Sequence, residues 1–175
     1  SAAGGSKSWI TNADGAVTLG EKSYLYSPCF DLSSFTANPT VSFKIAFDLA
    51  WGVNAWLEYS EDGITWQKLG LNGSGQNWYN SSSHYWYQDQ TTWALASYTL
   101  PVLSMTSSSS VKFRFVYKGD NWTNVEGLAI DDFSLQEISN DVAPLAVLNQ
   151  TKGAGWGMET ISVKVKNNSA KAMKS

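Results

Sequence analysis

One feature constrains this chain more than any other: long runs of period-two alternation. From Val41 onward, Val41, Phe43, Ile45, Phe47 and Leu49 alternate with Ser42, Lys44, Ala46 and Asp48. Successive side chains of a strand point to opposite faces, so this run has one apolar and one polar face. That is the signature of a half-buried antiparallel strand. Ala55, Leu57 and Tyr59 repeat the pattern against Trp56, Glu58 and Ser60, and Val111, Phe113, Phe115 and Tyr117 repeat it against Lys112, Arg114 and Lys118. Asp62-Gly63 marks a hairpin turn between Glu61 and Trp66. Further strands are expected at Ser23–Ser27 (ended by Pro28), Trp66–Leu69, Ala94–Leu100 and Gly127 to Ile138. No segment carries a helical period. The expected fold is all-β, an antiparallel sandwich or jelly roll of about eight short strands.

Charge and cysteine content narrow the function classes. Lys and Arg number 12 against 15 Asp and Glu, a net charge of -3, with no basic block to support nucleic-acid binding. No apolar run approaches the roughly 18 residues of a membrane span. The single cysteine, Cys29, allows no internal disulfide and is expected to be buried as a small hydrophobe. Ser1–Gly5 has neither a basic nor an apolar leader region, which points to a piece of a longer, mature protein. Loops rich in Ser, Thr, Asn and Gly suit an extracellular bacterial protein.

Two stretches carry the candidate chemistry. The first is the insertion 70–92, Gly/Asn/Ser-rich yet holding Trp78, Tyr79, Tyr85, Trp86 and Tyr87, with Trp93 at its end. Structureless loops this long are uncommon unless functional. Exposed rings stack on the apolar faces of sugars while Asn, Gln and Asp read hydroxyls, so these rings are expected to bind ligand. Trp51 and Trp122 lie in other loops. The competing expectation is that the rings plug the sandwich. The second stretch is Gly127–Leu135, a strand with adjacent acids. Strict alternation puts Asp131 on the face of Phe133 and Leu135, toward the core, and Asp132 on the other. An inward carboxylate needs a cation or hydrogen-bond donors.

Four segments, in order, resemble a known family. Tyr24–Ser33 resembles the first-strand motif of bacterial jelly-roll modules similar to eukaryotic MAM domains, and Glu58–Trp66 resembles their S-x-D-G-x-x-W hairpin. Val111–Phe115 and Gly127–Leu135 resemble the closing strand pair. Related modules occur in cleaved adhesins and beside the catalytic domains of secreted metallopeptidases of Bacteroidetes-type bacteria. The tail, from Asp141 to Asn168, resembles the first half of an Ig-like domain. The resemblance implies a MAM-like domain over 1–138, a linker over 139–144 and a partial Ig-like β segment over 145–175. It also implies structural Ca2+. Asp131 would be the leading ligand and Asp132 the second, with Asp31, Asp48, Asp14 and Glu21 as possible partners.

Catalysis has little support. The lone histidine, His84, sits beside Ser81–Ser83, but a Ser-His pair also needs a third group and an oxyanion hole. Asp131 and Asp132 face opposite ways on a strand and cannot flank one bond. The expected function is therefore non-catalytic adhesion or recognition at the cell surface, with a glycan or a surface or matrix protein as partner alongside other domains of the same polypeptide. The alternatives are an accessory domain of a secreted metallopeptidase and a structural repeat of a surface filament.

Overall fold

The computed structural model describes residues 2–35, 37–101 and 110–137, together with the backbone of 142–147 and 163–167. The chain divides into two compact units, Ser1–Glu137 and Ile138–Ser175. The described residues of unit one are all-β, with eight strands: β1 (Trp9–Ile10), β2 (Lys22–Phe30), β3 (Pro39–Leu49), β4 (Asn54–Ser60), β5 (Gln67–Lys68), β6 (Gln88–Thr99), β7 (Val111–Lys118) and β8 (Gly127–Glu137). They form two four-stranded antiparallel sheets, ordered β1-β8-β3-β6 and β2-β7-β4-β5. Apart from the β4–β5 hairpin, each successive strand changes sheet.

The alternating runs explain the layering. Val41, Phe43, Ile45, Phe47 and Leu49 of β3 are buried, as are Phe113, Phe115 and Tyr117 of β7, and these two sets face each other across the sandwich. The Phe43 and Phe115 rings meet edge to face at 4.7 Å, and Phe133 of β8 lies 5.8 Å from Phe113. Such pairs add to the burial term that drives the sheets together.

Several boundaries differ from the sequence reading. Pro28 does not end β2: the pairing with β7 shifts register between Tyr26 and Cys29, and the irregularity takes in the residue that cannot donate to the ladder. Cys29 is exposed, with its Sγ 3.0 Å from the Ser110 hydroxyl, because its side of the strand end faces solvent. β6 begins at Gln88, six residues before Ala94.

In the second unit, β9 (Val142–Val147) pairs antiparallel with β10 (Val163–Asn167). The strand begins at Val142, so part of the expected linker 139–144 is strand. Its remaining residues, the strand ends at Leu148 and Ile161, the loop Lys152–Gly157 and most of the serine tract 107–110 lie outside the described residues.

Candidate functional site

The insertion between β5 and β6 does not present its rings to solvent. Trp78 is 0% exposed, Trp86 2% and Tyr79 4%, all within the core cluster. Trp86 packs edge to face on Phe43 at 5.7 Å and Trp78 stacks on Tyr98 at 5.1 Å. Their polar atoms are satisfied: the Trp78 indole N–H donates to the Leu69 carbonyl (2.9 Å) and that of Trp86 to the Asn77 carbonyl (2.9 Å). The Tyr79 hydroxyl donates to Leu69 O (2.8 Å) and accepts from the Leu57 amide (3.3 Å), and its burial pushes its pKa well up. The insertion touches both sheet edges, bridging Gln76 to Ser97 of β6 and Trp86 to Ala55 of β4. It closes the open side of the sandwich, so these three rings offer no face to a ligand.

Two other members of the predicted set act locally. Tyr85 is half-buried against Trp56 (5.2 Å), with Lys68 Nζ 3.5 Å from its ring centroid. Tyr87 is half-buried, and its backbone pairs with the Asn80 side chain. His84 braces the same loop by accepting the Asn72 amide on Nδ1 at 3.0 Å.

The acidic pair of β8 breaks the alternation. Asp132 has φ 51°, and the register against β3 shifts between Ser42 and Lys44. This bulge resets the phase of the strand: Leu128 and Ile130 face the core before it, and Phe133 and Leu135 pack on the core after it. Asp131 therefore faces outward, on the Ala129 side, and not toward the core as strict period two predicts. Its Oδ2 accepts the Ala3 (2.8 Å) and Gly4 (3.1 Å) amides and its Oδ1 the Asp132 amide (2.8 Å), which holds its pKa below the usual carboxylate value. Gly4 passes so close that a Cβ there would lie 2.9 Å from the Asp132 carboxylate.

The residues expected around calcium are not gathered. Asp31 turns back on the Ser33 amide (2.9 Å) and hydroxyl (2.6 Å), and Asp48 accepts the Glu126 amide (3.2 Å). The N-terminal segment presents N–H groups to Asp131, so backbone amides supply the donors this carboxylate needs. Among the described residues no three Asp, Glu, His or Cys side chains converge on a metal position.

What the outer face of the β1-β8-β3-β6 sheet does offer is a groove of about 1030 Å³. Ala46 of β3 and Ala129 of β8 are register partners, and their small side chains leave a depression in its floor. The N-terminal segment, with Ser6 and Lys7, lines it on the β1 side, and Thr91–Trp93 line it on the β6 side. Asp48 and Glu126 lie toward one end. Asp89 pairs with Asp48 across the strands, and the hydrogen bond between the two carboxyls raises the Asp89 pKa.

Beyond that end lie two loops. The Ala50–Val53 turn abuts the 119–126 loop so closely that a Cβ on Gly52, at φ 92°, would meet the Asp120 carboxylate at 2.7 Å. Asp120 fixes its own loop by accepting the Trp122 (3.0 Å) and Thr123 (2.7 Å) amides, and Gly20 donates to its carbonyl. Trp51 is 85% exposed and Trp122 88%, so of the predicted aromatic ligand residues Trp122 is the one left open to solvent. Inside the same end, the Tyr117 hydroxyl is buried with no hydrogen-bond partner among the described residues, and burial together with the Glu21, Asp120 and Asp48 charges pushes its pKa up to about 12.

The groove combines a half-buried indole, hydroxyls, an amide and carboxylates on one face of the sheet. Its floor was missed in the sequence, although alanines at outward phases of otherwise polar positions are a signal that could have found it. No protein-family model matches the chain, and no curated protein matches it in sequence.

Proposed function

We propose that this protein is a non-catalytic extracellular recognition module of jelly-roll type that binds a neutral glycan segment in the groove of the β1-β8-β3-β6 sheet. The strand order supports the jelly-roll reading, since nearly every connection crosses between the sheets. The observation that carries the ligand reading is Trp93 lining a long groove opposite Lys7 and Asn12, with Asp48 and Glu126 toward one end. An indole supplies a flat apolar surface for a sugar ring, and the polar groups supply hydrogen bonds. Concave sites that pair apolar surface with a few convergent polar groups are the usual form of a ligand site.

The test is a panel of neutral oligosaccharides and polysaccharides, read by array and by affinity electrophoresis. Trp93→Ala is expected to weaken binding by about tenfold or more, or roughly 1.4 kcal/mol, while the chain stays folded. Binding to no glycan, or binding indifferent to Trp93→Ala, would overturn the groove assignment. A protein partner is the second reading. It is favoured by Trp51 and Trp122, two indoles exposed on neighbouring loops, a residue type enriched at interface hot spots.

A further inference from the structure

The opposite outer face, that of the β2-β7-β4-β5 sheet, has a different character. Register places Lys22, Tyr24 and Tyr26 of β2 beside Lys118, Val116 and Arg114 of β7, with Trp56 and Glu58 of β4 next and Lys68 of β5 beyond. Lys112 continues the same row of β7 opposite Ser60. This one face therefore collects Lys22, Lys68, Lys112, Arg114 and Lys118 against a single strand carboxylate, Glu58. Lys7 and Lys44 are the remaining bases of residues 1–137, in a chain whose net charge is negative. The face of the other sheet carries Lys44 against Asp48, Asp89 and Asp131. The two outer surfaces of one small sandwich thus have opposite sign.

The rings on the cationic face form a platform. Tyr24 and Tyr26 stack 6.0 Å apart at 29°, and Trp66 meets Tyr26 edge-on at 5.5 Å. The Arg114 guanidinium, paired to Glu58 at 2.6 Å, lies over Tyr24 (4.5 Å) and Trp66 (4.2 Å), which locks the rings in place. Tyr26 keeps 53% of its surface exposed. Glu58 neutralises Arg114, whereas Lys22, Lys112 and Lys118 have no ion-pair partner among the described residues. Lys22 and Lys118 face each other as register partners, an arrangement of like charges that costs stability unless an anion lies between them.

We propose that this face is a second binding site, specific for an acidic polysaccharide. A sugar ring would stack on Tyr26 while the polymer's carboxylates or sulfates pair with Lys22, Lys112 and Lys118. The proposal is independent of the groove on the other sheet. Charge complementarity selects the ligand: the platform is cationic and aromatic, whereas the groove is bordered by carboxylates.

The test is affinity electrophoresis of the full chain in gels containing polygalacturonate, dextran sulfate or neutral dextran. Lys22→Glu, Lys118→Glu, the double variant, Tyr26→Ala and Trp93→Ala are run beside the wild type. Each single Lys variant removes a like-charge pair and so should stay folded, which melting curves verify. Retardation is expected with one or both acidic polymers, falling as salt is raised and absent with dextran. It should weaken by about tenfold or more in the double Lys variant, fall in Tyr26→Ala and be unchanged in Trp93→Ala. Response to polygalacturonate alone identifies carboxylates as the ligand chemistry, and response to dextran sulfate alone identifies sulfates. No retardation by either acidic polymer, equal retardation by neutral dextran that persists in Trp93→Ala, equal capture of single-stranded DNA, or insensitivity to the Lys and Tyr variants would overturn the proposal.

Discussion

The sandwich is closed on its two sides by different physics. On the β6 and β4 side, the insertion 70–87 drives Trp78, Tyr79 and Trp86 into the core. On the β1 side, the N-terminal segment is held over β8 by amide bonds to one carboxylate, Asp131. The first closure rests on buried apolar area, which is non-directional and indifferent to pH. The second rests on a few directional bonds to a charge, so it is weaker and it titrates. Their functional consequences differ accordingly. The ring closure is scaffold, whereas the carboxylate latch positions a wall of the groove, because Ala2, Ser6 and Lys7 line it.

Substitutions can break either side of this comparison. The largest effect is expected for Trp86→Ala, which empties a fully packed site and should cost about 3–5 kcal/mol in denaturant unfolding, equally at neutral and acid pH. Asp131→Asn should have a smaller effect that depends on pH. The Asp131 pKa is lowered in the folded chain relative to its ordinary 3.8, so its contribution is present above that value and lost as pH falls through the lower folded value. Wild-type and Asp131→Asn melting midpoints should therefore differ near neutrality and converge in acid. Chelation by EDTA is expected to leave the wild-type midpoint unmoved, because the Ala3 and Gly4 amides already satisfy the carboxylate; a fall on chelation would support the calcium reading. The smallest effect is expected for Trp122→Ala, which removes an exposed ring and should change stability by no more than about 0.5 kcal/mol. A large loss there would show that the loop end is part of the scaffold.

The fold was legible because its signal is local. Period two in Val41–Leu49 and Val111–Tyr117 specifies which side of each strand is buried, and that layering is what the structure contains. The fate of an aromatic ring is not local. Trp86 and Trp122 sit in equally polar loops, and only the path of the chain puts one beside Phe43 and the other in water. Asp131 shows an intermediate case. Its need for donors or a cation could be read from its neighbours, but its direction could not, because the bulge at Asp132 depends on a left-handed residue that period two does not anticipate. The cationic face escaped notice for the same reason as the groove: its bases are spread over three strands and come together only through register.

The most direct test of the account is amide hydrogen exchange on the full chain, with and without a saturating neutral oligosaccharide from the panel. Slowed exchange is expected at the groove, over Ala46–Asp48, Thr91–Trp93 and Glu126–Ala129, with the insertion 76–87 already slow and unchanged. Protection confined to 76–87, with the groove segments exchanging as before, would contradict the placement of recognition on the outer face of the sheet.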